Sequence, residues 1–383
     1  MRIFLLSLLL CLNCFLIQAS TYDSVAFYVV AHPDDWQLFM GSTATHDLLS
    51  THTKVVVIHT TAGDASCNNR PLSKSYYMAR ESGAINSLEY GSDYRSIHDL
   101  KQFKIEEVNG HKIRVFRYKD VVNYFLRLPD GCFKCGLNGE SIQYLKENKI
   151  SGIRAVDSTA SYTNWEDLVN TVKNIIVKES AAVPSVWLNI PDTDEAINPK
   201  DHPDHIHTAY LGLEATKDLD YVNKNLYVDY HIANLAVNLS ADEIAMKSAL
   251  YAVADFGITQ NNNYSTYTPG HINFLSRSYF RTEISKADSL VKVNGNVSTC
   301  NLSAIFPNPA TTTINVSYRV ISKGTVTINV VDMSGVHAMS LYDKVNDAGA
   351  YSSQHNISLL APGNYLIVIN TPSFTNVLRL VKQ

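Results

Sequence analysis

The feature that most constrains the fold of this chain is an uncharged segment with the composition of a strand, which is followed directly by the four residues HPDD. It lies within residues 25–41, VAFYVVAHPDDWQLFMG. Residues 25–31 are β-branched, aromatic or small and carry no charge, which is typical of a strand buried on both faces of a parallel sheet. Because such strands present functional groups at their carboxyl ends, the HPDD sequence predicts the edge of the sheet that carries the chemistry.

The HPDD turn has the spacing of half a metal site. Pro33 fixes one backbone angle and disfavours a helical conformation at His32, so the turn is stiff. Asp35 is placed to open a helix, and an imidazole and a carboxylate three residues apart can converge on one ion. Asp34, which lies between these two residues in the motif, is then available for a role other than metal binding. By itself the motif is equally compatible with a loop and helix cap that hold no metal.

A second motif repeats this arrangement later in the chain. Residues 201–206 read DHPDHI, again with an X-Pro turn before a helix. Ile206, Ala209, Tyr210 and Leu213 predict an apolar stripe along that helix. Two such turns favour a zinc site over two caps. Two histidines and a carboxylate leave a fourth position open for water, which is the pattern of a catalytic zinc.

The pair AHPDD and HPDH resembles the PIG-L or LmbE-like deacetylases, zinc enzymes that remove acetyl groups from N-acetylglucosamine units. The resemblance covers about residues 25–283. It implies a Zn²⁺ ion held by His32, Asp35 and His205. It also implies an N-acetylated amino sugar or glycan as the substrate partner.

The same resemblance implies roles for other residues of the two motifs. Asp34 corresponds to the general base of the family. His202 corresponds to the residue that assists the tetrahedral intermediate and the leaving group, and Asp204 orients or charges it.

Three further positions are assigned to the substrate. Arg80 resembles an arginine that faces the substrate in the family, and Asp64 lies in a matching loop where a substrate contact and a turn role are both open. Trp36 stands where the family usually has Glu. We include Trp36 among the substrate-binding residues, and the substrate subclass stays open.

The pattern around the motifs predicts an α/β fold, a Rossmann-like and mostly parallel sheet with helices on both faces. Strands are predicted at residues 54–61, 112–118 and 185–190. One predicted helix has an apolar stripe of Met78, Ile85 and Leu88. Two others are predicted to begin at capping boxes, one formed by Thr163 with Glu166 and a later one formed by Ser240 with Glu243. No G-x-G-x-x-G motif occurs, so no dinucleotide is implied.

The N-terminal segment predicts export. Residues 1–19 have one early positive charge and an unbroken apolar run, as in a secretory signal peptide. A lipoprotein signal is the alternative, although neither Cys11 nor Cys14 follows small residues. A net charge of -4 without a Lys/Arg cluster argues against nucleic-acid binding. No other stretch approaches the roughly 20 apolar residues of a membrane span. A secreted or surface-attached protein is therefore expected.

The cysteines of the mature chain predict a disulfide. Cys132 and Cys135 form a CxxC pair, but a zinc knuckle needs two more ligands at matching spacing. In an exported protein a disulfide is favoured. Cys67 is another candidate partner and Cys300 lies outside the site region, so the pairing stays open.

An aromatic-rich segment at residues 264–280 has two interpretations. Its side chains could stack on sugar rings beside the zinc site, or they could close the domain core.

The C-terminal part predicts a separate all-β domain. We expect a deacetylase domain at residues 20–290, a linker at 291–303 and a small immunoglobulin-like sandwich at 304–383, with strands at 313–320, 325–332, 364–370 and 376–381. FPNPATTTINV, VVDMSG and LAPGNYLIVI resemble the C-terminal sorting domain of type IX secretion cargo, which implies the type IX machinery as a partner. A carbohydrate-binding or spacer module is the alternative.

Together these features predict a secreted, zinc-dependent hydrolase that removes N-acetyl groups from N-acetylglucosamine-containing glycans or glycoconjugates. Two alternatives stay open. One is an amidase acting on a non-sugar N-acyl conjugate, and the other is a catalytically inactive glycan-binding protein.

Overall fold

The computed structural model of the chain describes residues 22–65, 74–94, 99–133, 136–283, 285, 304–320, 323–333, 335–347, 349–371 and 375–383. The predicted signal peptide and the predicted linker lie outside these residues. No helix in the described part of the chain has the length and apolar character required to span a bilayer.

The N-terminal domain alternates strands and helices. Its strands are β1 (Ser24–Val30), β2 (Thr53–Thr61), β3 (Gln102–Val108), β4 (His111–Tyr118), β5 (Val121–Leu128), β6 (Ile153–Arg154), β7 (Ser161–Tyr162), β8 (Ser185–Pro191), β9 (Val222–Tyr227) and β10 (Phe280–Glu283). Its helices are α1 (Asp35–Phe39), α2 (Gly41–Leu49), α3 (Lys74–Asp93), α4 (Ile142–Lys146), α5 (Trp165–Glu179), α6 (Pro203–Thr216), α7 (Ala241–Thr259) and α8 (Pro269–Leu275). Short 3₁₀ turns occur at Leu137–Gly139 and Tyr230–Asn234.

One eight-stranded sheet organises this domain, in the order β10-β9-β8-β1-β2-β5-β4-β3. The five central strands, β9, β8, β1, β2 and β5, pair in parallel. The outer strands β10, β4 and β3 pair antiparallel. The prediction of a mostly parallel sheet is confirmed, and β1 lies at its centre.

Helices cover both faces of the sheet, as predicted. Alternate residues of a strand point to opposite faces. Phe27 and Val29 of β1 pack in a core with residues of α5 and α6. Tyr28 and Val30 pack in a second core with residues of α1, α2, α3 and α7. The absence of charge in β1 follows from its burial between the two helix layers.

Of the two predicted capping boxes, the one at the start of α7 is present and the one at the start of α5 is not. α7 begins at the predicted capping box of Ser240 and Glu243. α5 begins one residue later than a box at Thr163 would give, because Asn164 is the N-cap and accepts a hydrogen bond from the Asp167 N–H at 2.9 Å. Asn is at least as good an N-cap as Thr, so the neighbouring residue takes the position.

Two predicted apolar stripes are corrected. Ile85 and Leu88 are buried in α3, but Met78 is 50% exposed. In α6, Ala209 is buried whereas Ile206, Tyr210 and Leu213 are only half-buried. The inward face of α6 instead carries polar and small residues, including His205, Thr208 and Gly212. Functional side chains occupy positions that a simple apolar stripe would fill.

The C-terminal domain is all-β, as predicted. Its strands are β11 (Ala304–Phe306), β12 (Thr313–Val320), β13 (Gly324–Asp332), β14 (His337–Asn346), β15 (Gly349–Asn356), β16 (Gly363–Asn370) and β17 (Thr375–Lys382). They form two antiparallel sheets, β11-β12-β15 and β14-β13-β16-β17. Inward residues from both sheets, such as Ile314 and Ile328, share one hydrophobic core.

The last strand of this domain contacts the N-terminal domain through a buried arginine. Arg379 Nη2 in β17 donates to Asp47 Oδ1 in α2 at 2.7 Å. Tyr28 donates its hydroxyl to Asp47 Oδ2 at 2.6 Å, and the guanidinium lies 5.4 Å from the Trp187 ring centroid. We call these four residues the Arg379 junction. The ion pair is almost fully buried, with side-chain exposures of 4% and 3%.

Candidate metal centre and active site

The five parallel strands end beside one cluster of polar residues. The cluster consists of His32 and Asp35 after β1, Asp64 after β2, Asp130 after β5, Asp201, His202, Asp204 and His205 after β8, and Asp229 after β9. In an open α/β sheet, ligands bind at this carboxyl edge. Strand order therefore brings together residues that are up to 197 positions apart in the sequence, the separation of His32 and Asp229.

The three predicted zinc ligands converge. His32 Nδ1 lies 3.4 Å from Asp35 Oδ1, and His205 Nε2 lies 3.3 Å from the same oxygen. The two imidazole nitrogens are 3.2 Å apart. Zinc bonds of about 2.0–2.1 Å in a tetrahedron separate two ligand atoms by about 3.4 Å. The three side chains therefore fit one tetrahedral zinc ion.

Backbone and side-chain hydrogen bonds fix these ligands. Asp35 Oδ2 accepts a hydrogen bond from the His32 N–H at 2.7 Å, which leaves Oδ1 beside the two imidazoles. His205 Nδ1 lies 2.8 Å from Asp201 Oδ1 and 3.2 Å from Asp229 Oδ2. A carboxylate on one ring nitrogen orients the other nitrogen toward a metal. The hydrogen bond to Asp201, with the Asp229 carboxylate close by, thus turns Nε2 of His205 toward His32 and Asp35.

The electrostatics of the cluster favour a cation. Burial opposes the charged forms, but Asp35 and Asp130 raise the pKa of His32, and Asp201 and Asp35 raise the pKa of His205, well above the usual range. Burial together with Asp201 raises the pKa of Asp229 well above its usual range. The imidazoles retain protons because buried carboxylates outnumber the positive charges around them. A metal ion can replace those protons.

Asp34 lies next to the ligands but points to a different partner. Arg80 Nη2 donates to Asp34 Oδ1, and Arg80 Nη1 donates to the Gly63 carbonyl at 2.9 Å. Gly63 has φ +55°, and a Cβ there would lie 2.5 Å from Arg80 Nη1. Only glycine combines that backbone conformation with the close approach of the guanidinium. Arg80 therefore contacts Asp34 and also lines the cavity described below.

His202 has a defined proton arrangement. Its Nδ1 accepts a hydrogen bond from the Asp204 backbone N–H at 3.1 Å, so the proton of the neutral ring is on Nε2. Burial and the neighbouring His32 and His205 lower the pKa of His202 to about 3. The Asp204 carboxylate is 3.9 Å from His202 Nδ1 and accepts instead from the Gly131 N–H at 2.9 Å. Asp204 thus orients His202 through its backbone.

A cavity of about 290 Å³ opens onto the cluster. Its lining includes His32, Asp34, Asp35, Arg80, Asp130, Phe133, His202, Tyr230 and His271. Seven of the nine predicted site residues therefore lie at the cavity or directly behind it: His32, Asp34, Asp35, Arg80 and His202 line it, and Asp204 and His205 contact these lining residues.

Two residues predicted to bind substrate lie elsewhere. Trp36 is 0% exposed and packs in the hydrophobic core beneath the site, where the sequence suggested a substrate contact. Its indole fills the inward position of the first helical turn, so direct contact with a substrate is not expected. Asp64 is buried, and its Oδ1 accepts from the Asp130 N–H at 2.8 Å. Asp64 shapes the loop after β5.

The sequence did not single out Asp130, Asp229 or Tyr230. Asp130 Oδ1 lies 3.8 Å from His32 Nε2, and the Tyr230 ring lies 5.0 Å from the His205 ring. The only available signal was position, because each residue follows a strand of the parallel sheet. Polar Asn123 and Arg127 interrupt β5 and hid that strand, although both are buried.

One cysteine of the cavity wall is covalently fixed. Cys132 is in a disulfide, and Cys67, Cys135 and Cys300 lie outside the described residues. The expectation of a disulfide at Cys132 is therefore confirmed, and its pairing stays a prediction.

Comparisons with known proteins identify two segments. Residues 27–216 match the model of the PIG-L family, described as GlcNAc-PI de-N-acetylase. Residues 304–383 match the family described as secretion system C-terminal sorting domain. A comparison with curated proteins gave no match.

Two solved structures have distant similarity to this chain. N,N'-diacetylchitobiose deacetylase from Pyrococcus horikoshii, in complex with its inhibitor MPG, is 17% identical, with coverage of 62% of this chain and 70% of that chain and a TM-score of 0.35. An engineered protein is 11% identical, with coverage of 94% and 86% and a TM-score of 0.20. These values are too low to support an argument about activity. The chain therefore carries a deacetylase domain of the PIG-L family, followed by a C-terminal sorting domain of a secretion system.

Proposed function

We propose that this protein is an exported, zinc-dependent hydrolase that removes N-acetyl groups from N-acetylglucosamine-containing glycans or glycoconjugates. One observation carries the proposal: His32, Asp35 and His205 present three ligand atoms 3.2–3.4 Å apart beside Asp34, at a cavity of a PIG-L domain. The sorting domain supports the exported location.

His32, Asp35 and His205 would hold the zinc ion. When bound, zinc supplies a Lewis acid for the acetyl carbonyl and lowers the pKa of water to about 7. Three protein ligands, rather than four, would be the number that catalytic zinc sites use. Asp201 and Asp229 keep His205 oriented while it serves as a ligand.

Asp34 is the general base. Arg80 contacts Oδ1 of this carboxylate, and among the described residues no hydrogen bond reaches Oδ2, so Oδ2 is free to take a proton from the attacking water. The water oxygen bonds to the acetyl carbon. When the C–N bond breaks, the proton on Asp34 passes to the leaving nitrogen, which departs as an amine while acetate forms.

His202 stabilises the oxyanion. Because Nδ1 accepts from the Asp204 N–H, Nε2–H is the donor that can reach the developing negative charge. A neutral imidazole with a lowered pKa donates this hydrogen bond without losing its proton. Asp204 also keeps the Gly131 loop against the site, so one residue positions both the donor and the cavity wall.

The charged groups in the cavity wall favour a sugar over an apolar conjugate. Asp130 offers carboxylate oxygens to substrate hydroxyl groups beside His32, and Arg80 offers donors. An apolar conjugate would displace water from these polar groups and offer them no hydrogen bonds in return, which costs binding energy.

Acetate release tests the proposal. The purified, zinc-loaded protein is incubated with N-acetylglucosamine, its oligomers, N-acetylglucosamine conjugates and N-acyl amino acids. Acetate from the sugar substrates alone, abolished by a chelator and restored by zinc, is the expected result. Turnover restricted to N-acyl amino acids would favour the amidase alternative. Saturable glycan binding without any acetate release would favour the glycan-binding alternative.

A further inference from the structure

The rim of the cavity contains an aromatic residue that the mechanism does not use. Phe133 lines the cavity but is 68% exposed. Exposure of a single aromatic ring is common, but a ring that is also part of the cavity lining is available to a bound ligand. Its ring centroid lies 4.6 Å from that of His202, in an edge-on arrangement with an interplanar angle of 67°. One face of the ring therefore stays open to solvent beside the oxyanion donor.

The loop that carries Phe133 is held at several points. The Asp130 N–H donates to Asp64 Oδ1 at 2.8 Å, and the Gly131 N–H donates to Asp204 Oδ2 at 2.9 Å. The Cys132 N–H donates to Asp130 Oδ1 at 2.7 Å, and Cys132 is in a disulfide. A Cβ at Gly131 would lie 2.8 Å from Asp204 Oδ1. A rigid loop presents the ring at low entropic cost, as binding platforms do.

The size of the cavity limits what it can enclose. Its volume of about 290 Å³ is at the small end of ligand pockets, which span about 300–1,000 Å³. For a cavity of this size, we expect a ring joined to the acetylated unit to extend toward the mouth, and the exposed Phe133 is one of the residues there.

We propose that Phe133 is a stacking platform for the sugar ring next to the acetylated unit, so that the protein prefers N-acetylated disaccharides and longer glycans to the free monosaccharide. This inference rests on the proposed function. Sugar rings present C–H faces that pack on aromatic faces, while their hydroxyl groups stay in water. The adjoining ring thus covers the open face of Phe133 without burying its polar groups.

The test compares a monomer with a dimer. We would measure kcat/KM for acetate release from N-acetylglucosamine and from its β-1,4-linked diacetyl disaccharide. For Phe133→Ala, the ratio of dimer to monomer should fall about 3- to 10-fold, with the loss mainly in KM for the dimer. Phe133→Trp should preserve the ratio or raise it.

Phe256→Ala is the matched control. Phe256 is 60% exposed on α7 and is not part of the cavity lining, so its removal should leave the ratio unchanged. If Phe133 only shields His202, Phe133→Ala would reduce kcat/KM for both substrates equally. An unchanged ratio would overturn the platform.

A binding measurement separates this inference from the proposed function. Calorimetry with Asp34→Asn protein measures affinity for both sugars without turnover. If the native protein releases no acetate but the dimer binds more tightly than the monomer in a Phe133-dependent way, the platform holds and the deacetylase proposal fails. If acetate is released and neither the kinetics nor the affinity depends on Phe133, the stacking role of Phe133 is rejected while the deacetylase proposal stands.

Discussion

The candidate metal centre and the Arg379 junction are both buried clusters of charge, yet their charge balance differs. At the junction, one guanidinium meets one carboxylate, and the second oxygen of Asp47 accepts the Tyr28 hydroxyl. At the metal centre, Asp35, Asp201 and Asp229 surround His205, and no hydrogen bond within the described chain reaches either carboxylate oxygen of Asp229.

The charge balance of a buried cluster therefore distinguishes a structural cluster from a ligand-binding one, whereas burial alone does not, because both clusters are buried. A balanced, hydrogen-bonded pair is stable without further ligands, although its desolvation leaves little net gain. A surplus of buried carboxylates around imidazoles is costly until a cation joins them. The first arrangement holds two domains together, whereas the second is suited to bind a metal.

The largest expected effect is loss of the metal. His205→Ala removes one of three protein ligands, so zinc content should fall to background and activity with it. Mass spectrometry for metal and acetate release measure both. His207→Ala is the control, because that half-buried imidazole is outside the cavity lining and bonds the Pro203 carbonyl. Full zinc content in His205→Ala would refute the ligand assignment.

The second prediction separates the base from the ligands. Asp34→Asn keeps the shape of the side chain but cannot accept a proton at neutral pH. We expect kcat to fall about 10²- to 10⁴-fold with zinc near one per chain. Asp35→Asn should lose zinc and activity together. The roles of the two carboxylates are exchanged if Asp34→Asn strips the metal while Asp35→Asn retains it.

The third prediction breaks the balanced cluster. Arg379→Met leaves the Asp47 carboxylate buried without its partner, which typically costs about 3–5 kcal/mol in the free energy of unfolding. Urea titration of the full chain measures the loss, and zinc content should not change. Lys323→Met is the control, since its ion pair with Asp347 is exposed and screened by solvent, so its loss should leave the free energy of unfolding nearly unchanged. If Arg379→Met and Lys323→Met lower the free energy of unfolding equally, the Arg379 junction contributes no more to stability than an exposed ion pair does.

Restoring the balance should recover stability. The double variant with Arg379→Met and Asp47→Asn removes both charges, so it should be more stable than Arg379→Met alone. If the double variant is less stable than either single variant, the unpaired charge is not the cause of the lost stability in Arg379→Met.

The smallest expected effect concerns a buried lysine for which the described residues supply no ion-pair partner at contact distance. Lys247 donates to the carbonyl oxygens of Phe274 and Arg277 at 2.9 and 2.5 Å, and burial lowers its pKa to about 7. Between pH 7 and about 10.4 the unfolded chain binds the proton that the folded chain has lost. Stability therefore rises with pH in this window, by about 1 kcal/mol from pH 7 to 8.

Lys247→Met tests that dependence. The variant should show a flatter pH profile of unfolding than the native protein. Identical profiles would mean that Lys247 keeps its proton in the folded state and that its carbonyl partners compensate for burial.

Local chemistry explains what could be predicted. The two X-Pro turns restrain His32 and Asp35 at the end of β1 and His202 and His205 at the start of α6, through backbone effects that act within a few residues. Buried parallel strands lack charge, which revealed β1 and β2. In contrast, β5 was missed because Asn123 and Arg127 are buried through partners distant in sequence, such as His59 and Glu81.

The sequence by itself determined the α/β class and the all-β C-terminal domain, because both depend on periodicity within short segments. Its two motifs, through their resemblance to a family, predicted the ligand set of His32, Asp35 and His205, and that set remains a prediction. Only the tertiary structure decided that Asp130 and Asp229 join the site, that Trp36 packs beneath it, and that Arg379 reaches Asp47. Those contacts depend on strand order and on the packing of two domains. Neither leaves a local pattern, because the partners are separated by dozens to hundreds of residues and are brought together only when the sheet and the sandwich are formed.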